Sequence, residues 1–145
     1  MEPILLTTDG SCIRNPGPGG WAFVLRYKDR SREESGAERD TTNSKMELRA
    51  VIEGLRALKK RCAVLVRTDS KYVRDGMMTW IHNWKPKDWI RVKNRELWQE
   101  IERLQRMHKV SYEWVKCHAN DEDNERCHLL AYKAAREHLT TNKRG

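Results

Sequence analysis

A chain of 145 residues is long enough to bury one hydrophobic core, so we expect a single domain over residues 1–145, with residues 140–145 as a flexible tail. No apolar stretch approaches the roughly 18 residues that span a bilayer, and the N-terminus lacks a signal-peptide pattern. We therefore expect a monomer of the cytoplasm with no membrane partner. The 29 Lys and Arg against 21 Asp and Glu give a net charge of +8, which favours nucleic acid as a partner, although a basic surface also serves solubility.

The N-terminal part of the chain predicts a β-hairpin. An apolar run that begins at Ile4 is followed by a segment rich in Gly and Pro and then by a second apolar run, Trp21–Leu25. Asp9 lies where the first strand is expected to end, although a carboxylate beside a core is costly. Two explanations stay open: the Asp-Gly pair forms a turn, or Asp9 is a metal ligand on a rigid scaffold.

A polar stretch and a helix follow the hairpin. Residues 26–40 are almost entirely polar and predict a loop, although a further strand of the hairpin at the sheet edge stays open. The next stretch predicts a helix that runs to about Lys60, with Val51 on its apolar face. Glu47 lies four residues before Val51 and therefore on that same face. Either Ser44 and Glu47 form a capping box, or Glu47 is a functional carboxylate; both place it at a helix N-terminus against the sheet.

A third acid follows another apolar run. Cys62–Val66 predicts a buried strand, and Asp69 comes shortly after it, which repeats the pattern of Asp9. Asp69 could instead be the N-cap of the short helix that follows, a role that Ser70 would serve equally well. The sequence leaves both roles open.

Three tryptophans, Trp80, Trp84 and Trp89, are interleaved with cations. Because Trp80 and Trp84 are one helical turn apart, they are typical of a small local core. The surrounding cations are equally typical of a basic element that contacts a phosphate backbone. These cations are Lys85, Lys87, Arg91, Lys93 and Arg95.

The rest of the chain predicts a helix, a strand and a last helix. Asn94 is expected to cap a helix that ends near His108, and residues 110–115 alternate as a strand. A polar loop follows, and the last helix is expected from Asn124 to about Leu139. Since no internal repeat or linker interrupts this order, it fits one domain.

The four cysteines contain no Cys-x-x-Cys pair, and in a cytosolic protein we expect them as thiols. A zinc site would have to use Cys117 with His118 and Cys127 with His128. Adjacent side chains rarely turn onto one tetrahedral centre, so the spacing disfavours zinc.

Asp9, Glu47 and Asp69 each end a strand or open a helix on the side that faces a sheet. If these elements are neighbours, three like charges converge, which is costly without a counterion. A pair of Mg²⁺ ions would supply the missing charge. Such a site suits phosphodiester hydrolysis, in which one ion activates water and the other stabilises the leaving oxygen.

An ordered series of motifs over nearly the whole chain resembles the bacterial type-one ribonuclease H family. The motifs are Thr8-Asp9-Gly10-Ser11 with Asn15-Pro16-Gly17-Pro18-Gly19-Gly20, Thr41-Thr42-Asn43 with Met46-Glu47-Leu48, Thr68-Asp69-Ser70, Trp80-Ile81-His82-Asn83-Trp84, Trp114-Val115-Lys116 with His118-Ala119, and Asn124-Glu125-Arg126-Cys127. The resemblance implies an α/β three-layer ribonuclease H-like fold, with a five-stranded mixed sheet flanked by helices. It also implies endonucleolytic cleavage of the RNA strand of an RNA/DNA hybrid with Mg²⁺ or Mn²⁺, leaving 3′-hydroxyl and 5′-phosphate ends.

The resemblance also implies residue roles. The metal-binding carboxylates would be Asp9, Glu47 and Asp69, and His118 would be a mobile histidine that assists water activation or product release. The hybrid-contacting positions would be Cys12, Asn15, Asn43 and Ser44, with Thr42 in a pocket for a DNA-strand phosphate. Residues 80–93 resemble a shortened basic protrusion, which includes Trp80, Trp84, Lys85, Lys87 and Lys93. The polar stretch after the hairpin would contain an edge strand.

One position departs from the family pattern. Where the family ordinarily has a fourth aspartate, this chain has His128. Imidazole suits Mn²⁺ better than the hard Mg²⁺, and a protonated histidine would repel either ion. Alternatively, His128 could face solvent, and Asp121 or Asp123 could take the place of the missing fourth aspartate. The sequence therefore leaves two functions: an active hybrid-specific ribonuclease with a retuned second metal position, or a weak or inactive hybrid-binding module.

Overall fold

The computed structural model describes residues 2–116 and 121–144, with side chains up to residue 137. Its strands are β1 (Ile4–Cys12), β2 (Gly17–Tyr27), β3 (Arg30–Thr41), β4 (Ala63–Thr68) and β5 (Lys109–Trp114). They form one mixed sheet in the order β3-β2-β1-β4-β5. β1, β2 and β3 pair antiparallel, while β4 pairs parallel with both β1 and β5.

The helices cover both faces of this sheet. They are α1 (Asn43–Arg56), α2 (Lys71–Asp75), α3 (Ile81–Trp84), α4 (Arg95–Arg106) and α5 (Glu122–Arg144), with a π-helical turn at Gly76–Trp80 and a 3₁₀ turn at Lys85–Lys87. α1 and α4 lie over the larger core, and α5 packs on the opposite face. The predicted three-layer α/β fold with a five-stranded mixed sheet is therefore confirmed.

Successive side chains of β2 point to opposite faces of the sheet, which explains why the sheet has a core on each face. Phe23 and Leu25 join the larger core with α1, whereas Ala22 and Val24 pack against Ala131 of α5. Small residues on α5 allow that helix to approach the sheet closely. The sheet is thus covered on both sides, as the apolar run Trp21–Leu25 requires.

The loop predicted from the polarity of residues 26–40 is wrong. β3 occupies most of this stretch as a 12-residue edge strand paired with β2, as the family resemblance implied. Lys28, with a φ of 55°, lies in the tight turn between the two strands. Most β3 side chains are exposed, so backbone pairing rather than side-chain burial forms the strand, and hydrophobic periodicity does not reveal it.

Three element boundaries also differ from the sequence predictions. β1 continues to Cys12, so Asp9 lies within the strand and opposite Ala22 of β2 instead of at its end. α1 ends at Arg56, four residues before the predicted end. α5 begins at Glu122 and is helical to Arg144, into the stretch expected to be a tail.

Cys12, Cys62 and Cys127 are free thiols, and Cys117 lies outside the described residues. The buried Cys127 thiol donates to the backbone oxygen of Thr7 and so ties α5 to β1. Among the helices of the described residues, none has both the length and the apolar character needed to cross a membrane.

Candidate active site

Asp9 is a carboxylate held inside the sheet. It is only 5% exposed, and its Oδ1 accepts a hydrogen bond of 2.9 Å from the backbone nitrogen of Gly10. Burial and the nearby charge of Asp69 raise the pKa of Asp9 to about 7, against the lowering effect of the Gly10 hydrogen bond. Asp9 and Gly10 are paired with β2 inside β1, which continues to Cys12, so the simple Asp-Gly turn is wrong for this residue.

Glu47 points from α1 toward the same place. Ser70 Oγ donates a 2.6 Å hydrogen bond to Glu47 Oε2, and Asn43 Nδ2 donates to Oε1 at 3.3 Å. Burial raises the pKa of Glu47 to about 7, with the Asp9 and Asp69 charges adding to the rise and the Ser70 hydrogen bond opposing it. The alternative capping box is not formed, because Thr42 is the N-cap and its Oγ1 accepts from Lys45 N.

Asp69 directly follows β4, next to the site. Its backbone oxygen accepts a 3.0 Å hydrogen bond from Trp114 Nε1 of β5, and the charge of its carboxylate contributes to the raised pKa of Asp9. The N-cap of α2 is Ser70, whose Oγ accepts from Val73 N. Asp69 is therefore free of the capping role that the sequence left open. Ser70 both caps α2 and donates to Glu47.

The close approach of α1 to β1 brings these acids together. Gly10 lies where any Cβ would overlap the backbone of Glu47, so only glycine allows this separation. Among the described residues, no Lys or Arg forms an ion pair with Asp9, Glu47 or Asp69. Three acids thus share a partly buried volume in which no described Lys or Arg balances their charge.

This oxygen donor set fits a hard divalent cation. No three described His, Cys, Asp or Glu side chains are placed to hold one ion by themselves. Mg²⁺ usually takes one or two carboxylates from the protein and completes its shell with water and substrate phosphates. Asp9, Glu47 and Asp69 match that requirement better than they match an ion enclosed by protein ligands alone.

His128 lies beside this cluster. Its Nδ1 is 3.2 Å from Asp9 Oδ2, and its side chain is 50% exposed. The interpretation in which His128 only faces solvent is therefore wrong. The compensating acids of that interpretation are also engaged elsewhere, since Asp121 pairs with Arg67 and Asp123 pairs with Arg26.

Guanidinium groups fix the start of α5. Arg26 contacts Asp123 through two hydrogen bonds of 3.0 and 2.8 Å, and Arg67 Nη2 lies 2.6 Å from Asp121 Oδ2. Arg126 of α5 likewise holds Glu33 of β3 through two nitrogens. Paired contacts of this kind constrain orientation as well as distance. They anchor α5 to three strands and thereby place residue 128 beside β1.

The predicted substrate-contacting residues meet at the start of α1. Asn15 Oδ1 accepts a 3.2 Å hydrogen bond from the backbone nitrogen of Asn43, which itself donates to Glu47. The Cys12 thiol contacts the backbone oxygen of Thr41, immediately before the N-cap Thr42. Ser44 lies in the first turn of the same helix. The structure thus brings together Cys12, Asn15, Thr42, Asn43 and Ser44.

The tryptophans of the basic protrusion, residues 80–93, form a local core. Trp84 lies 5.9 Å from Trp80, 6.1 Å from Trp89 and 5.5 Å from Trp98 between ring centroids. The indole of the buried Trp98 donates to the hydroxyl of Tyr72, which links the cluster to α2. This packing confirms the local-core interpretation and gives the protrusion a rigid base.

The cations of the protrusion differ in their availability. Lys85 Nζ pairs with Glu102 Oε1 at 2.8 Å, and Glu102 is buried, so Lys85 anchors the protrusion to α4. Lys87 and Lys93 are exposed and form no ion pair among the described residues. A cavity of about 630 Å³ lies between the protrusion and α1, and its lining includes Thr41, Lys45, Arg49, Arg91 and Asn94.

His118, the predicted mobile histidine, lies outside the described residues. Sequence reasoning missed the supporting roles of Ser70, Trp114 and Gly10. The first two hold Glu47 and Asp69, and the third permits the approach of α1. Of these three roles, only that of Gly10 could have been suspected from the sequence, because Gly10 directly follows Asp9. An Asp-Gly pair is equally consistent with a turn.

A family model for RNase H matches residues 1–136 of the chain. The ribonuclease H of Neisseria gonorrhoeae is 51% identical over 138 residues, which covers 92% of this chain and 95% of that relative. The chain belongs to the ribonuclease H family. Asp9, Glu47, Asp69 and residue 128 all lie within the matched range.

Solved ribonuclease H structures share the fold. LC9-RNase H1, described as a type 1 RNase H with the type 2 active-site motif, is 34% identical and superposes with a TM-score of 0.85, covering 95% of this chain and 75% of that one. LC11-RNase H1, solved in complex with RNA/DNA hybrid, is 22% identical with a TM-score of 0.71, covering 94% of this chain and 99% of that one. At 22% identity, the second likeness extends to the ribonuclease H fold alone.

Proposed function

We propose that the protein is an endonuclease that hydrolyses the RNA strand of RNA/DNA hybrids and leaves 3′-hydroxyl and 5′-phosphate ends. The observation that carries this proposal is the cluster of Asp9, Glu47 and Asp69, in which two carboxyl pKa values are raised to about 7 and no described Lys or Arg forms an ion pair. Acids held together at this cost are typical of a functional site. Family membership supplies the substrate class.

Asp9, Glu47 and Asp69 would hold two Mg²⁺ or Mn²⁺ ions in the substrate complex, with His128 beside them. When bound, the ions activate a water molecule and stabilise the leaving oxygen. The chain contributes the positioning: Ser70 and Asn43 orient Glu47, and Trp114 holds the Asp69 backbone. Because the acids are preorganised before substrate arrives, little rearrangement is needed during the reaction.

Recognition of a hybrid would depend on sugars and strand shape, because contacts to phosphate and sugar carry no base sequence. Short polar side chains beside the carboxylates, Asn15 and Asn43 among them, are suited to reading RNA 2′-hydroxyl groups. Thr42 and the adjoining cavity are suited to a phosphate of the DNA strand. The exposed Lys87 and Lys93 of the protrusion would add salt-dependent attraction.

The decisive test is cleavage of a labelled RNA/DNA hybrid in Mg²⁺ and in Mn²⁺, with an RNA duplex of the same sequence as control. We expect cutting of the hybrid alone, at internal positions of the RNA strand. End-group analysis should find 5′-phosphates. Salt-sensitive binding without cutting in either ion would contradict the enzyme and favour the hybrid-binding module.

Residue 128 is expected to tune the metal preference. His128→Asp replaces a nitrogen 3.2 Å from Asp9 with oxygen donors, which Mg²⁺ prefers, so we expect the Mg²⁺-supported rate to rise about tenfold relative to the Mn²⁺ rate. The measurement is the ratio of the two rates under saturating ion. Leu129→Asp, at the exposed neighbouring position, adds the same charge and should leave the ratio unchanged. A lower Mg²⁺ rate in His128→Asp would contradict this role.

A further inference from the structure

A second group of charged side chains lies beside the carboxylates. Lys71 and Arg74 of α2 both lie over the indole of Trp114, with Lys71 Nζ 5.3 Å and Arg74 Cζ 5.5 Å from the ring centroid. We propose that Lys71, Arg74 and Trp114 form a binding subsite for a phosphate of the RNA strand, next to the one that is cut. This proposal rests on the hybrid-cleaving function proposed above.

The position of the group follows from the sheet. Trp114 Nε1 donates to the backbone oxygen of Asp69, and Lys71 is only two residues beyond Asp69. The indole that carries both cations is therefore fixed directly to a candidate metal ligand. Lys71 and Arg74 therefore lie beside Asp69 on the side of the site that β5 borders.

The sheet order distinguishes this subsite from the DNA-strand pocket. β5, which carries Trp114, is the edge strand beyond β4, whereas Thr42 follows β3 at the opposite edge. Asp9 of β1 lies between the two edges. The Lys71 subsite therefore lies across the carboxylates from Thr42 and Asn43, where the RNA strand that Asn43 contacts would continue after it crosses Asp9 and Asp69.

The aromatic contact leaves the charges available. Lys71 is exposed and forms no ion pair in the part of the chain that the structure describes. Arg74 uses its Nε to contact Asp75 at 2.9 Å, and its remaining nitrogens still lie beside the indole. An aromatic face orients a cation without neutralising it, whereas the Glu102 carboxylate neutralises Lys85.

A phosphate, and not a base, is the expected ligand. Lys71 and Arg74 are three residues apart on α2 and project from the same side of that helix, so they cover the indole face that is turned toward it. A base would need an open aromatic face on which to stack. Two cations that share one platform are suited to the oxygens of a phosphodiester.

The test is the salt dependence of hybrid binding by the full-length protein without divalent ions, measured by fluorescence anisotropy. We expect Lys71→Gln to reduce the slope of log K against log salt by about 1 and the affinity at low salt by about tenfold. Lys71→Arg should retain the wild-type slope. Lys59→Gln, an exposed lysine beyond the far end of α1, is the matched control and should also leave it unchanged.

Neutral methylphosphonates at single positions identify the strand. We expect the effect of Lys71→Gln to disappear when one RNA-strand phosphate near the cut is neutral, and to persist with neutral positions in the DNA strand. An unchanged slope in Lys71→Gln overturns the subsite, as does an effect that disappears only with DNA-strand substitutions. Because binding is measured without divalent ions, either result leaves hybrid cleavage by the wild-type protein as a separate test of the proposed function.

Discussion

Asp9→Asn is expected to reduce hybrid cleavage by on the order of 10³-fold or more, because even the loss of an outer partner of a metal ligand costs ten- to a hundredfold. The exchange removes the charge of a buried carboxylate while keeping its size and its hydrogen bond from Gly10. Single-turnover cleavage of a labelled hybrid measures the effect. Asp29→Asn, in the exposed turn between β2 and β3, makes the same change away from the cluster and should cleave normally.

The same variant should be more stable than the wild type in metal-free solution at pH 8. In the unfolded chain Asp9 ionises near its ordinary value of 3.8, whereas in the folded chain its pKa is about 7. Between pH 3.8 and about pH 7 the folded state therefore binds more protons than the unfolded state. The stability of the fold falls as pH rises through this range. Asparagine removes this loss, so we expect the free energy of unfolding to rise by about 2 kcal/mol at pH 8 and to change very little at pH 4.

Thermal unfolding in chelator at the two pH values measures this gain, which should raise the melting temperature by about 5 °C at pH 8. Asp29→Asn should show no such dependence on pH. Normal cleavage by Asp9→Asn would exclude Asp9 from the catalytic site. An equal or lower melting temperature at pH 8 would instead show that burial and the Asp69 charge do not raise the pKa of Asp9.

Gly10→Ala is expected to damage both the stability and the activity of the protein. A methyl group at Gly10 would overlap the backbone nitrogen of Glu47 and the backbone carbon of Met46, so α1 must move away from β1. We expect a loss of about 3 kcal/mol in the free energy of unfolding. The displaced Glu47 should lower the cleavage rate by about 10²-fold, since misplacement by about 1 Å has that effect.

Gly54→Ala is the matched control, because it adds a methyl group to the same interface between α1 and β1. There the three nearest atoms all belong to the side chain of Leu6, whose methyl ends can shift more readily than backbone, and alanine is the better helix former by about 1 kcal/mol. Urea unfolding and hybrid cleavage should therefore stay near wild type. Equal behaviour of the two variants would show that the close approach at Gly10 does not position Glu47.

The buried elements could be predicted from the sequence because burial leaves a periodic pattern. β1, β2, β4 and α1 each carry apolar residues at strand or helix spacing, and all four exist near their predicted positions. β3 carries no such pattern, since its side chains are mostly exposed and β2 supplies its hydrogen bonds. The residues left an edge strand open there, and the resemblance to a family of known fold favoured it over a loop.

The acidic residues of the candidate site could be predicted from the sequence, but the hydrogen bonds that hold them in place could not. Asp9, Glu47 and Asp69 stood out because acids are unusual beside apolar runs, and the structure brings them together. The hydrogen bond from Ser70 to Glu47 joins residues 23 positions apart, and that from Trp114 to the Asp69 backbone joins residues 45 apart. No local pattern encodes such contacts, because they depend on the order of strands in the sheet.

The arginine and carboxylate pairs at the start of α5 have a consequence for how this protein can change. They fix the helix through Arg26, Arg67 and Arg126, none of which is residue 128. Exchange of the side chain at position 128 therefore leaves the backbone around the carboxylates in place. If residue 128 tunes the metal preference as proposed, evolution or a library randomised at this one codon would vary that preference while the scaffold stays constant.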